Sequence, residues 1–446
     1  MISAGTAENR TGHNSLRALL DTRLDAAWML RIEVYLLIIV QFLTNAGFIP
    51  TAATYLFDIV NLTVLLMGLK KVARTFSSHP VFISMVVGYC CLAVLTGIGS
   101  GVSPACVIWE MLIQLRIPCF VLLCVTYWSR DDVHTVMETL MRLQPINLIF
   151  AAVEYFALGL TGDCCGGLFG TAAGSNMMLN MYLVVVVAYA SSVYLGSAET
   201  GVSFGSLLFT TLSSFFVATL SEIKFFYLEA VIVVLIAMFF GRKSHRLFLL
   251  SVVFSISLGL GLGFLAAYFP ESFDMLFDID ALQAYDDGSN VATSGYGISR
   301  AGAIEQIDQM FFGNDVALKV AGYGFGSTTM SSINIFCSPF YWSYSWLRYY
   351  YSQIAMLYLQ NGYIGLLMYF SIHLFTLFFC LKNKTWFADA PWVRVFSICI
   401  GAMFFLNCFY NGSSRSYASL LWAMCFAIPF IFCITSKERA NDRRFE

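Results

Sequence analysis

What constrains this chain most is repetition. From about Val34 to Thr435 it returns to uncharged apolar runs of bilayer length, separated by short charged stretches. Only a helix or a closed barrel satisfies its backbone in hydrocarbon, and a helix needs about 20 apolar residues to cross it. Reading about 16 to 22 residues per span predicts helices over 33–50, 52–69, 81–98, 105–128, 145–161, 176–196, 204–220, 225–240, 247–268, 363–381, 392–410 and 416–435. The fold class is therefore an all-α polytopic membrane protein with about twelve transmembrane helices. Composition supports this where it bears on class: the chain is 59% hydrophobic and only 12% charged, against about one-quarter charged in soluble domains. An ordinary soluble enzyme is excluded. A net charge of −2 without a long basic run leaves no footprint for nucleic acid.

Lys and Arg then report topology, since they stay on the cytoplasmic side of short loops. Clusters fall at Arg10/Arg17/Arg23/Arg31, Lys70/Lys71/Arg74, Arg130/Arg142, Arg242/Lys243/Arg246, Lys382/Lys384/Arg394 and Lys437/Arg439/Arg443/Arg444. Residues 204–240 read either as one long broken segment or as a hairpin of two short helices. With the hairpin, every cluster lies on one side and both termini are cytoplasmic. The first 26 residues lack the apolar core of a signal peptide and read as a retained segment. The resulting order is a cytoplasmic segment 1–32, helices one to nine over 33–268, a large outer loop 269–351, helices ten to twelve over 352–435 and a cytoplasmic tail 436–446. Residues 131–144 read as a short amphipathic helix on the cytoplasmic surface, with Val133, Val136, Leu140 and Leu143 on one face.

The outer loop between helices nine and ten is the irregular element. Connections of such length are functional or form small subdomains. Its mixture of aromatic and polar residues predicts a folded, mainly helical segment, with 299–320 as its main helix. Most of the thirteen cysteines fall inside apolar runs, where Cys acts as a small hydrophobe. Cys164, Cys165 and Cys337 are placed outside, and a bridge from Cys337 to Cys164 or Cys165 is one pairing this arrangement allows.

Six cations lie outside the cytoplasmic clusters: Arg116, Lys224, Arg300, Lys319, Arg348 and Arg415. Arg116 sits within a span, where a charge lines a cavity or pairs with another helix; Glu110, six residues earlier, is too far round the helix to be an ideal partner. Lys224 ends the tight outer hairpin Ser221-Glu222-Ile223-Lys224, and Arg300 follows the turn Ser294-Gly295-Tyr296-Gly297-Ile298-Ser299. Facing the outer leaflet, an Arg fork and a Lys point charge suit phosphates; the plainer alternative is solvated loop charge. The glycines Gly322, Gly324 and Gly326 either present N–H groups to an anion or form a turn in a tightly packed cap. Arg348-Tyr349-Tyr350-Tyr351, preceded by Trp342 and Trp346, reads as a sugar-stacking surface or as an interfacial aromatic belt. None of His13, His79, His134, His245 and His373 reaches the outer face, so neither a His-based zinc site nor a Ser-His-Asp triad is expected there, and no cofactor is implied. Outer carboxylates, Glu222 among them, make a general base available. Asp286-Asp287-Gly288 reads as a turn rather than a calcium loop.

Three stretches in order resemble the O-antigen polymerase and ligase superfamily of bacterial inner membranes. Gly167-Leu-Phe-Gly170-Thr-Ala-Ala-Gly-Ser-Asn176 resembles its G-x-F-x-x-x-N step into a span, with a longer spacing to the Asn. Arg300 followed by Gly322-Tyr-Gly-Phe-Gly326 is similar to its loop pattern of Arg, helix and G-x-G-x-G. The run from Tyr351 to Gly365 resembles the stretch that opens the helix after the loop. The resemblance implies a glycosyltransferase of the inner membrane that joins undecaprenyl-diphosphate-linked repeat units at the periplasmic face. Arg300, Lys224 and Glu222 would carry the chemistry, and Arg116, Arg348, Arg415, Tyr351 and the three glycines would bind substrate. Tyr351 stands where ligases place a catalytic His, which favours polymerase over ligase; Lys224 replaces the family's outer-hairpin Arg. A flippase and a chain-length regulator are the protein partners so implied. A lipid-linked oligosaccharide flippase or transporter is the non-enzymatic rival.

Overall fold

The computed structural model describes residues 26–78, 80–196, 202–241, 245–278, 297–300 and 302–442. Its long helices are α1 (Ala26–Asn45), α2 (Tyr55–Thr75), α3 (Pro80–Gly99), α4 (Pro104–Tyr127), α5 (Arg130–Arg142), α6 (Gln144–Ala152), α7 (Ser175–Gly196), α8 (Phe204–Leu220), α9 (Lys224–Phe240), α10 (His245–Tyr268), α11 (Gln353–Lys382), α12 (Pro391–Tyr410) and α13 (Ser419–Asp442). No strand occurs among the described residues. Nine helical stretches there are long and apolar enough to cross a membrane: α1 to α4, the run Arg130–Ala157, α7, α10, α11 and α12. The protein is a helical polytopic membrane protein. Asp286, Asp287, Gly288, Gly295 and His79 lie outside the described residues.

Local chemistry sets the helix starts. Pro104 and Pro391 occupy first turns, where the missing N–H costs nothing. Ser129 and Asp132 form a reciprocal capping box on α5, and Ser203 and Ser352 cap α8 and α11. All twelve apolar runs are helical, but their ends differ where polar residues continue a helix. The first helix starts at Ala26, the fifth run continues from Arg130 through α5, and α11 begins at Gln353 rather than near 363. The first turns of α11 carry Gln353, Gln360 and Asn361, all buried, whose polarity is met by neighbouring segments rather than by water.

Burial follows the distribution of apolar residues around each helix. A helix apolar on every side belongs in the interior, and α7 and residues 419–433 of α13 are enclosed almost throughout, α13 against α4 and α12, α7 against α12 and α8. Helices α2, α3 and α10 instead turn Leu66, Met67, Leu95, Phe248 and Leu260 outward, the pattern of a lipid-facing rim. One expectation is corrected: the apolar face of α5 does not lie on a membrane surface. Val133, Val136 and Leu140 are fully buried, and the Leu140 carbonyl accepts a 2.7 Å hydrogen bond from Tyr182 on α7. That face packs instead against α7 and α13.

The connection before α11 is helical in pieces: Ala303–Ile307, a π-turn over Asp308–Phe312 and Val316–Ala321, broken by Gly313 at φ 55°. Lys319 pairs with Asp308 at 2.8 Å, and Tyr358 of α11 donates to the same carboxylate at 2.7 Å, pinning the segment to α11. All thirteen cysteines are free. The Cys337 bridge is not formed; its thiol donates to Ser331 O at 3.1 Å within its own loop.

At Gly362 the backbone of α11 leaves the helix (φ 55°, ψ −153°). A Cβ there would stand 2.4 Å from Lys319 O, and one on Gly322 (φ 69°) 2.4 Å from the Gln360 carbonyl carbon. These two glycines allow backbone to touch backbone. Gly362→Ala and Gly322→Ala are each expected to cost about 2 kcal/mol or more, read as a lowered apparent melting temperature in detergent. Gly99→Ala, in open space, should leave it unchanged.

Candidate functional site

Two carboxylates and two guanidiniums form a buried knot at one end of the bundle. Arg116 of α4 grips Asp58 of α2 with both prongs, at 2.9 and 3.0 Å, and donates its remaining nitrogen to the Arg415 carbonyl at 2.9 Å. Its guanidinium lies 3.9 Å from the Tyr417 ring centroid, and Tyr417 donates to Asp58 at 2.7 Å. Arg415 in turn holds Glu110 with both prongs, at 2.5 and 2.7 Å. Glu110 is wholly buried and also accepts from Gln114 at 2.6 Å and Thr329 at 3.1 Å, while Tyr89 donates to Gln114. Both roles open to Arg116 are present: it pairs across helices with Asp58, and the pair lines a cavity walled by Leu62, Ile108, Met111 and Leu115. Glu110, unsuited to Arg116, meets Arg415 instead.

The glycine run is fastened to the same core. N–H groups of residues 322 to 326 donate in turn to Leu318 O, Leu359 O, Gln360 O, Thr96 Oγ1 and Gln360 Oε1. A Cβ on Gly324 or Gly326 would strike Thr96 O or the Cys106 backbone within 3 Å. These glycines serve close approach, so the packed-cap reading describes them. Beyond them Phe336 stacks flat on Trp109 of α4, with centroids 4.6 Å apart, and the Tyr349 hydroxyl donates to Thr328 O at 3.0 Å.

Three segments remote in sequence converge beside this knot. The Arg300 guanidinium lies 4.7 Å over the Tyr410 ring at the end of α12. Tyr410 stacks parallel on Phe225, with centroids 4.2 Å apart, and Phe225 follows Lys224, whose Nζ reaches Met275 Sδ at 3.4 Å. Ile298 N donates to Leu347 O at 2.9 Å, which brings Arg348 alongside. The segment after Tyr410 runs against Tyr350, whose carbonyl lies 3.1 Å from where a Gly412 Cβ would be. Lys224, Arg300 and Arg348 are half-buried here, and Tyr351 is exposed at the rim. Glu222, at the hairpin tip, accepts from Ser272 at 3.0 Å.

Among the described residues the only non-glycine positions with positive φ are Glu222 (51°) and Arg348 (53°). Both belong to this convergence, and strained backbone gathers at functional sites. The outlying cations thus divide. Arg116, Arg415 and Lys319 bind carboxylates and hold structure; Lys224, Arg300 and Arg348 lie on the segments that meet about the Tyr410–Phe225 stack. Sequence reading passed over Asp58, Phe225, Glu229 and Tyr410. The acids carried a usable signal, since an ionisable residue alone in an apolar run is costly without a partner; the rings carried none.

Set against known proteins, the chain matches no family model and no curated protein.

Removing one partner of a buried bidentate pair leaves an uncompensated charge, at about 3–5 kcal/mol. Glu110→Ala and Arg415→Ala should therefore each sharply lower the melting temperature of the purified protein. The double variant Glu110→Gln/Arg415→Met should lose less than the two singles combined, because it leaves no charge behind.

Proposed function

We propose that the protein is a surface-polysaccharide polymerase of the O-antigen type, working at the outer face of a bacterial inner membrane. In this reading all twelve apolar helices span the bilayer, both termini are cytoplasmic and the 269–351 connection is periplasmic. Two undecaprenyl-diphosphate-linked oligosaccharides meet at the groove edged by Lys224, Arg300 and Arg348. The hydroxyl oxygen of the incoming unit attacks the anomeric carbon of the growing glycan. The bond to the carrier diphosphate breaks, its electron pair leaves with the diphosphate, and the hydroxyl proton passes to a carboxylate, for which Glu222 is the nearest in sequence to Lys224.

The observation that carries this reading is the convergence of Arg300 and Lys224 about the Tyr410–Phe225 stack. Charge that develops on the departing diphosphate is stabilised by preorganised cations, usually the largest single term in such catalysis. Tyr351, exposed and donating its N–H to Arg348 O at 3.0 Å, would stack on a sugar ring in this reading. Arg116 and Arg415 act indirectly, because their prongs are committed to Asp58 and Glu110, and they hold the 411–418 segment against the groove. The glycines act in the same way, by letting the loop lie close.

The test is the surface-glycan profile of a strain lacking the gene, complemented with wild type or variants. Loss of the polymer ladder with a single repeat unit left on the surface lipid is the expected result. Arg300→Ala and Lys224→Ala should restore little or no ladder at normal protein level, each losing about 100-fold or more in rate, and Arg300→Lys should restore part. Bare surface lipid with polymer accumulating on the carrier would mean a ligase. Bare surface lipid with unpolymerised carrier-linked repeats trapped inside would mean a flippase.

A further inference from the structure

Glu229 is the one acidic residue of α9 and is completely buried, about 7.5 Å along the helix axis from Lys224. Its Oε2 accepts from Asn180 Nδ2 on α7 at 2.8 Å, and its Oε1 accepts from Asn407 Nδ2 on α12. Asn407 is locked in that orientation: Nδ2 also donates to Met403 O at 3.1 Å, and Oδ1 accepts from Asn411 at 3.3 Å. Asn180 is not locked, because its Oδ1 is buried and makes no hydrogen bond among the described residues.

The acids of the Arg116–Arg415 knot are met differently, whereas Glu33 and Glu154, buried like Glu229, take only neutral donors, Asn61 and Gly167 N. Asp58 and Glu110 each take a guanidinium; Glu229 takes two neutral amides. The helices packed on α9 offer no countercharge. Neither α7 nor α8 has a charged residue. α12 has only Arg394, at its opposite end and donating to Cys380 O. α10 has only His245 and Arg246 at its opposite end, the latter donating to Tyr194 O. On α9 itself Lys224 reaches Met275. The titratable groups nearby are neutral ones: Tyr227 shares a hydrogen bond with Thr219, and Cys399 donates to Val233 O. Burying a carboxylate without a countercharge is costly even after relaxation, and amide dipoles do not cancel a full charge.

We propose that Glu229 is a proton-binding site: it carries a proton in the resting protein, and Asn180 is the amide that responds to it. With the proton on Oε2, Asn180 turns its amide so that Oδ1 accepts the acid O–H across the same 2.8 Å contact. With Glu229 ionised, Nδ2 donates instead. Asn407 makes no such exchange. The site lies beneath Lys224 and, through Asn407, one turn beneath the ring that carries Arg300. A neutral Glu229 leaves the field of both cations directed at the groove; an ionised one would offset it.

Infrared spectroscopy of the full chain in lipid nanodiscs at neutral pH tests this through the C=O stretch of a protonated carboxylic acid. The wild type minus Glu229→Gln difference should contain that band, at equal helix content by circular dichroism. Glu33, whose Oε1 accepts from Asn61 at 2.6 Å, and Glu154, whose Oε2 accepts from Gly167 N at 2.7 Å, contribute equally to both spectra and cancel. Asn180→Ala should keep the band and shift it, because the acid loses its acceptor; Glu229→Asp, which keeps the acid but moves it, should also shift it and decides the matter if Glu229→Gln does not fold. No band in the difference, or no shift with Asn180→Ala, overturns the proposal. So does a melting temperature raised by sodium chloride over choline chloride in wild type but not in Glu229→Gln, which would assign the site to a metal cation.

Discussion

The rest of the structure hangs on the pairing of Asp58 with Arg116 and of Glu110 with Arg415. Charges taken out of water repay their desolvation only when the geometry is good and every remaining donor and acceptor is met. Here both guanidiniums are bidentate, and Arg116 also spends its free nitrogen on the Arg415 carbonyl. Two cations can lie together because each brings its own anion. The knot ties α2, α4, the segment before α13 and, through Thr329, the connection before α11 into one body. A change at any of these points reaches all of them.

Around that knot the chain packs irregular backbone closely against its helices. Buried backbone N–H and C=O groups persist only where other protein groups receive them. The 322–329 loop meets this condition by donating its N–H groups to α11 and to Thr96, and the break at Gly362 meets it by lying against Lys319 and Val320. Glycine is required at 322 and 362 because a side chain would occupy the space of another backbone. With the loop held this closely, Arg300 and Arg348 stand at a fixed edge, beside the Tyr410–Phe225 stack, rather than on a free tether.

Much of the architecture was legible from residue order. A run of apolar residues has few solutions in a bilayer, so the twelve helices could be placed and only their ends slipped, at Ala26, Arg130 and Gln353. Those slips share a cause: polar residues such as Gln360 and Asn361 extend a helix once a partner removes their cost, and the partner is remote. The candidate site was legible in part. Lys224, Arg300 and Arg348 stood out because a cation on the outer side breaks the topological bias. Arg116 and Arg415 stood out for the same reason but turned out to be engaged with acids 58 and 305 residues away. Tyr410 carried no mark at all, being one aromatic among many.

Sequence alone determined that this chain is a helical membrane protein, where its helices fall and that an irregular connection precedes α11, since these follow from hydrophobicity, which is local and additive along the chain. The tertiary structure decided which cation meets which anion, why three glycines lie where they do, that α5 turns its apolar face inward, and that Glu229 sits among amides instead of a base. Those outcomes depend on distances between segments that residue order does not encode directly. A charge in a low-dielectric interior is governed by whatever lies within a few ångströms, and only the folded chain specifies that neighbour.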